Sequence, residues 1–533
     1  DIVYRQIAGL DSLIQAAGRC NRNGKKDLAK SKVYIFDFID EKKVTNQKLQ
    51  IETAASVLQD YEKVDDLTGI SDYFKRLYHY RGTSLDKKNI MGEFKQLRFN
   101  FSKVAKEFKL IEENTKMIYI NKELKAEELL KVNKQENVLK FFKKLSEDKQ
   151  IKLAEKIINL NFEQLNKLYA ETKTEPEISE KKITHIKYVD EYKLSDEAQE
   201  KYTKLGEDVI KNNQYAVVTM AGGQGTRLGH KGPKGTFLID VLPEPKYLFQ
   251  ILAENLERAN KKYGIILPWY IMTSTENNAE TVKFFEEHNY FGYPKENVKF
   301  FMQGNLPLLK RNGDLIIDED YSIKEAADGN GCIYGAMAKN GIIEEMKQKG
   351  IKWIFIGSVD NTILNMVDPI LVGLTIDEKH EAASKSVAKA SPKEKVGVFC
   401  KINGVPSVIE YSELPEKMAE EVDEDGELLY GEAHIMCNLF SIDALDKVSK
   451  IHLPYHVAEK KSNYMNDDEE FIEVTEPNAY KFEAFIFDAF NFFDDISILR
   501  GRREKDFAPV KNKTGNDSPE TSRELYNNYW KNK

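Results

Sequence analysis

The residues best suited to chemistry form one segment, Ala216-Val-Val-Thr-Met-Ala-Gly-Gly-Gln-Gly-Thr-Arg-Leu-Gly229, followed shortly by Pro233-Lys234-Gly235. A buried strand feeds a turn holding Gly222, Gly223, Gly225 and Gly229, where missing Cβ atoms let backbone N–H groups approach an anion. Phosphate is the natural ligand. Arg227 and Lys234 add a forked donor and a point charge to the same turn. Two familiar loops fail on spacing: G-x-G-x-x-G begun at Gly223 requires glycine at Leu228, and the only Gly-Lys pair, Gly24-Lys25, is followed by Lys26 and not by Ser or Thr. The segment therefore reads as a nucleotide loop of a third kind, against the plainer reading of a flexible glycine turn.

The elements around this loop follow from periodicity. Apolar strand-like runs at Tyr215 to Met220, Trp269 to Met272, Val298 to Met302, Trp353 to Ile356 and Val396 to Cys400 alternate with helical stretches such as Leu248 to Tyr263 and Thr281 to His288. This alternation predicts an α/β layered domain around a largely parallel sheet. From Glu127 to Ala170, apolar residues recur at helical spacing, and the polar, proline-containing stretch 171–182 reads as a linker. Near the start, 33–39 reads as a buried strand preceded by a helix. With 533 residues, 41% apolar and 31% charged, two to four domains are expected and wholesale disorder is excluded. No apolar run of membrane-spanning length and no secretion signal is found, which points to the cytoplasm. The four scattered cysteines argue for reduced thiols over disulfides or zinc.

In motif order, the chain from about Glu127 to its C-terminus resembles the eukaryotic-type UDP-sugar pyrophosphorylases, particularly those acting on N-acetylglucosamine. Beside the glycine loop, the resemblance rests on Trp269-Tyr-Ile-Met-Thr-Ser274, Gln303-Gly304, Asp328-Gly-Asn-Gly331, Val359-Asp360-Asn361, Val396-Gly397-Val398, Glu410-Tyr411-Ser412-Glu413, Phe485-Ile-Phe-Asp488 and Phe507-Ala-Pro-Val-Lys511-Asn512. It implies a Rossmann-like mixed-sheet nucleotidyltransferase over 183–533, with 121–182 as its helical region and linker. The implied reaction joins UTP to a sugar 1-phosphate and releases pyrophosphate, so positioning and charge offset matter more than acid–base chemistry.

By the same resemblance, Met220, Ala221, Gly222 and Gly223 lie at the uridine, Gln303 reads the uracil edge, and Gly329 and Asn330 border base and ribose. Arg227 and Lys234 hold the triphosphate, Lys511 serves the sugar phosphate, and Asp360 holds Mg2+ shared with substrate phosphates. Glu410 and Tyr411 bond sugar hydroxyls, while Gly397, Phe485 and Phe487 shape the sugar pocket. Taken singly, Asp360 is also an ordinary turn residue, Lys511 a surface lysine and the two phenylalanines core aromatics. Two departures stand out. Cys332 follows Gly331 where the family has glycine, and His434 stands where N-acetylglucosamine enzymes carry asparagine near the amino sugar. Sugar identity is therefore open at this level, with N-acetylglucosamine 1-phosphate ahead of glucose 1-phosphate.

Residues 12–24 resemble the sixth motif of superfamily 2 helicases, with Gln15, Arg19 and Arg22 facing ATP. Together with Tyr73-Phe-Lys-Arg-Leu-Tyr78 and Leu85-Asp-Lys-Lys-Asn89, they make residues 1–120 resemble a partial RecA-like C-terminal fragment of the type I CRISPR-associated helicase-nuclease. The first 120 residues carry a net charge of +5 against −13 for the remainder, a weak basis for nucleic-acid binding. An arginine finger without a phosphate-binding loop has no nucleotide to act on, so helicase activity is not expected. His452 and His456 are four apart but flank Pro454, which argues for surface residues and against a metal pair. The oligomeric state is not legible.

Overall fold

A computed structural model describes residues 2–20, 32–37, 47–61, 63–86, 90–95, 122–173 and 182–531. Cα packing divides the chain into two compact units, Asp1–Tyr119 and Ile120–Lys533.

In the first unit, the strands Ile2–Gln6 and Lys32–Phe36 pair in parallel, with the helix Leu10–Arg19 between them in the chain. The strand expected over 33–39 thus begins one residue earlier and is not buried, since its residues alternate between exposed and half-buried; residues 38 and 39 lie outside the described set. Helices Lys48–Asp60 and Leu67–Arg81 follow, and Asp66 caps the latter by accepting from the Thr68 and Gly69 N–H groups at 2.8 and 3.0 Å. The apolar stripes of all three helices bury Leu10, Leu13, Ala54, Val57, Tyr73 and Leu77 together. Gln15 is exposed on the first helix and Arg19 ends it; Arg22 lies outside the described residues, as does the Arg19 side chain.

The second unit opens with four helices, Lys122–Val132, Glu136–Phe142, Glu147–Ile158 and Phe162–Glu171. The surface they pack on is now defined: Val138, Phe142, Leu153 and Leu165 share a core with Leu309, Leu315, Ile323 and Phe482. Gln135 stitches the two layers, its Oε1 accepting from Leu315 N–H at 2.7 Å and its Nε2 donating to the Gly313 carbonyl at 3.2 Å.

The central sheet runs in the order Val189–Asp190, Ser497–Arg500, Ala382–Ala388, Glu432–Ser441, Trp353–Ser358, Tyr215–Met220, Trp269–Thr273, Val298–Met302. The last four strands are mutually parallel, as alternation with helices requires. Glu432–Ser441 is antiparallel to both neighbours, which makes the sheet mixed, while the other strands in this order all run the same way and keep it largely parallel. A side branch pairs Val398–Ile402 with Val405–Ile409 and Ile183–His185. Both faces are covered: Tyr215 and Val217 point into one core, Ala216, Val218 and Met220 into the other. Because ligands of such sheets sit beyond the strands' carboxyl ends, the turns after Met220, Met302 and Ser358 define where chemistry must occur. Among the described residues no helix is long and apolar enough to cross a membrane, and Cys332, Cys400 and Cys437 form no disulfide.

Candidate active site

The glycine segment leaves its strand with Ala221 N–H donating to the Met272 carbonyl at 2.8 Å. It then closes on itself: Gly225 N–H donates to the Gly232 carbonyl and Lys234 N–H to the Gly223 carbonyl, both at 3.0 Å. Gly229 ends a short turn at φ 74°, in the left-handed region that favours glycine. Gly235 is demanded by contact, since a Cβ there would lie 2.2 Å from the buried Phe249 ring. Asn277, a residue the sequence pattern did not single out, braces the turn by donating from Nδ2 to the Ala221 carbonyl at 2.9 Å. The Gln303 side chain lies against Gly222, where a Cβ would meet it at 3.0 Å. Arg227 is exposed and makes no hydrogen bond or ion pair to any other described residue.

Lys234 turns inward and donates to Asp360 Oδ2 at 2.7 Å. Burial opposes the charged carboxylate, yet Lys234 and Lys511, with hydrogen bonds from Lys234 and Ser358, outweigh it and hold Asp360 below the usual carboxylate range. Lys511 arrives from far along the chain through a specific clamp. Val510 N–H donates to the Asp360 carbonyl at 2.9 Å, while Asn361 accepts from Ala508 N–H at 2.9 Å and donates to the Asp506 carbonyl at 2.7 Å. The clamp is anchored in turn by Lys385, whose side chain is 4% exposed and whose Nζ lies 2.7, 2.8 and 2.9 Å from Asp368, Glu191 and Asp506. Sequence pattern held no signal for Lys385, because a lysine inside the run Ala382–Ala388 reads as solvent-facing.

Lys511 also acts on a second group of side chains, around Glu410 and His434. His434 N–H donates to the Gly397 carbonyl at 2.9 Å, and a Cβ on Gly397 would come within 3.5 Å of Glu410 Oε1. Burial and the neighbouring Glu413 push the Glu410 carboxyl up, while His456 and Lys511 pull it down. The Phe485 and Phe487 rings lie 5.1 Å apart, tilted by 33°; Phe487 is buried and Phe485 half-buried. Tyr411 is 46% exposed at the rim. His452 is exposed, but His456 is not the surface residue that its spacing suggested. Its Nε2 sits 2.9 Å from Asp488 Oδ2 and its ring 4.4 Å from Phe485. Burial works against the charged ring, but Asp488, Glu413 and Glu410 raise its affinity for a proton.

A family model described as UTP–glucose-1-phosphate uridylyltransferase matches residues 159–517. The chain belongs to this family. It is 40% identical over 340 residues to the UDP-N-acetylglucosamine pyrophosphorylase of Saccharomyces cerevisiae, covering 62% of this chain and 71% of that protein. With the UDP-N-acetylglucosamine diphosphorylase 1 of Arabidopsis thaliana it shares 35% identity over 421 residues, 75% of this chain and 81% of the relative. Among solved structures, the uridine diphosphate N-acetylglucosamine pyrophosphorylase of Trypanosoma brucei superposes with a TM-score of 0.66 at 28% identity, over 77% of this chain and 85% of that one.

In this uridylyltransferase-family chain, the Asp328–Gly331 turn is sewn to the Ala484–Ile486 segment. Gly329 has φ 97°, and a Cβ there would meet the Ala484 carbonyl oxygen at 2.3 Å. Asn330 Oδ1 accepts from Ile486 N–H at 2.9 Å, so that side chain braces the turn and leaves it few ways to read a base. Cys332 donates to the Asp328 carbonyl at 3.3 Å and faces the Tyr455 hydroxyl at 3.6 Å; burial pushes its thiol up and keeps it protonated.

Proposed function

We propose that this chain joins UTP to N-acetylglucosamine 1-phosphate, giving UDP-N-acetylglucosamine and pyrophosphate. One observation carries the reading: the closed glycine turn delivers Lys234 to Asp360 at 2.7 Å, and the backbone of Asp360 itself secures the segment bearing Lys511. Two polyanions thereby meet between fixed cations. The sugar-phosphate oxygen bonds to the α-phosphorus as the bond to the β-phosphoryl oxygen breaks, and the electron pair leaves with pyrophosphate. Lys511 and the exposed Arg227 offset charge on the substrates, the glycine turn offers N–H groups to the nucleotide, and Gln303 presents one donor and one acceptor to a base edge. The rank of N-acetylglucosamine over glucose is supported by the names of the yeast, plant and trypanosome relatives.

Magnesium suits the donor set. Among the described residues no cluster of three or more His, Cys, Asp or Glu holds a metal alone, while Asp360 offers one ionised carboxylate at the anion site. That matches an ion shared between one carboxylate and substrate phosphates, where it would offset phosphate charge.

For the first unit, the helicase-fragment reading draws support from the parallel strand–helix–strand arrangement carrying Gln15 and Arg19. DNA-stimulated ATP hydrolysis tests it. The deciding assay for the second unit is pyrophosphate release with UTP and a panel of sugar 1-phosphates. Release requiring both UTP and N-acetylglucosamine 1-phosphate is expected; preference for glucose 1-phosphate overturns the sugar assignment, and release with neither overturns the reaction.

A further inference from the structure

The loop that follows Lys511 connects two parts of the site that are far apart in the chain. Val510 is hydrogen-bonded to Asp360, and three residues later the chain touches the glycine turn at Gly229. The path of this loop is fixed by its own closure. The Lys511 and Asn512 N–H groups both donate to the Asp517 carbonyl, at 2.7 and 3.0 Å, and Asn512 Nδ2 donates to the Asn516 carbonyl at 2.9 Å. Gly515 and Asp517 take positive φ, 82° and 56°, which folds 511–517 back on itself.

The residue this loop lays on the glycine turn is Lys513. A Cβ at Gly229 would lie 3.7 Å from its Cε and 3.8 Å from both Cδ and Nζ, so the lysine tail runs along bare backbone. Gly229 is bare because its φ of 74° favours glycine. Lys513 is exposed and makes no hydrogen bond or ion pair to any other described residue. Lys511 differs: its Nζ lies 3.9 Å from Asp517 Oδ2, and it helps to hold Asp360 ionised. Arg227, two residues before Gly229, is exposed like Lys513. Two cations from distant segments thus meet one short turn, and a polyanion binding there breaks no ion pair between described residues.

Placement decides which part of the polyanion Lys513 serves. On the reading above, the α-phosphoryl group meets the sugar phosphate by Asp360 and Lys511, so the outer phosphates extend from there along the glycine turn. Three residues of extended chain span about 10 Å, which carries Lys513 from the Asp360 end to the far end of that turn. Its ammonium is a compact point charge with three donors, suited to phosphoryl oxygens.

We propose that Lys513 binds the β- and γ-phosphoryl oxygens of UTP, and the same oxygens of pyrophosphate once the bond to the α-phosphorus has broken. This rests on the function proposed above and adds to it a cation supplied by the loop 511–517. Lys513 contributes charge and hydrogen bonds, and no proton is transferred to or from it.

The test is Lys513→Ala in the full chain, with inorganic pyrophosphate, UMP and UTP as probes. The side chain is exposed and has no described partner, so the unfolding midpoint stays in place. Calorimetric titration shows pyrophosphate binding weakened about tenfold, the low end for a hydrogen bond to a charged group, and KM for UTP rises by a similar factor. Inhibition by UMP, which has no outer phosphates, stays at its original strength, as does KM for the sugar 1-phosphate. Lys513→Arg restores most of the loss, and added salt narrows the gap between Lys513→Ala and the unaltered chain, because an exposed cation is screened. Unchanged pyrophosphate affinity overturns the proposal. So does an equal weakening of UMP, which puts the cation at the α-phosphate, or a rise in KM confined to the sugar phosphate, which shows the loop acting through Lys511. Absence of turnover with UTP and every sugar 1-phosphate instead overturns the function on which the proposal rests, a result distinguishable from these because the pyrophosphate titration needs no turnover.

Discussion

Lys234 and Asp360 neutralise one another at the mouth of the glycine turn, whereas Arg227 has no such partner among the described residues and is open to substrate charge. Their substitutions should therefore differ. Arg227→Ala removes a cation and leaves no protein charge exposed, so kcat should fall about 10²–10³-fold with the fold intact. Lys234→Ala also strands Asp360, and steady-state kinetics should show an equal or larger loss, with lowered stability in denaturant titration. If either variant keeps near-normal kcat, the turn does not bear on the reacting phosphates. His434 makes a separate, pH-linked contribution. Burial holds its ring at about 4 against an ordinary 6.5, so the unfolded chain binds the proton more readily between those values. The stability it confers is complete above about pH 6.5 and drains away by about 3 kcal/mol as pH falls toward 4. Denaturant melts across that window should show the slope, and His434→Leu should flatten it. Asp360, depressed below the carboxylate range, loses its contribution only in stronger acid.

At the scale of elements, the site depends on how the Phe507–Lys511 segment is secured. Lys385 sits among three carboxylates with almost no solvent contact, so Lys385→Met leaves uncompensated buried charge and should cost about 3–5 kcal/mol in chemical denaturation. Because Asp506 is one of the three and precedes that segment, kcat/KM for the sugar phosphate should fall with it. The glycine turn rests on its neighbour in a comparable way. Gly235→Ala drives a methyl into the fully buried Phe249 ring and should destabilise the unit by about 1–3 kcal/mol, read as a lowered unfolding midpoint.

For the whole molecule, the two units carry separate cores, and every residue placed at the candidate site belongs to the second. Residues 121–533 expressed alone should retain kcat/KM within about twofold of the full chain, since a compact unit with its own core folds on its own. Loss of activity on that truncation would show that the first unit takes part.

What the sequence alone determined were the features encoded locally. The Tyr215–Met220 strand, the glycine turn behind it and the helix Leu248–Tyr263 follow from residue spacing, because periodicity and missing Cβ atoms act over a few positions. Motif order added the family. The tertiary structure decided the rest: the antiparallel run of Glu432–Ser441, the burial of Lys385, the pairing of His456 with Asp488 and the approach of His434 to Asn438. Asn361 reaches across 147 positions to Ala508, and that contact brings Lys511 beside Asp360. No local pattern specifies such a meeting, since it arises from sheet order and from hydrogen bonds that form only once distant strands have packed.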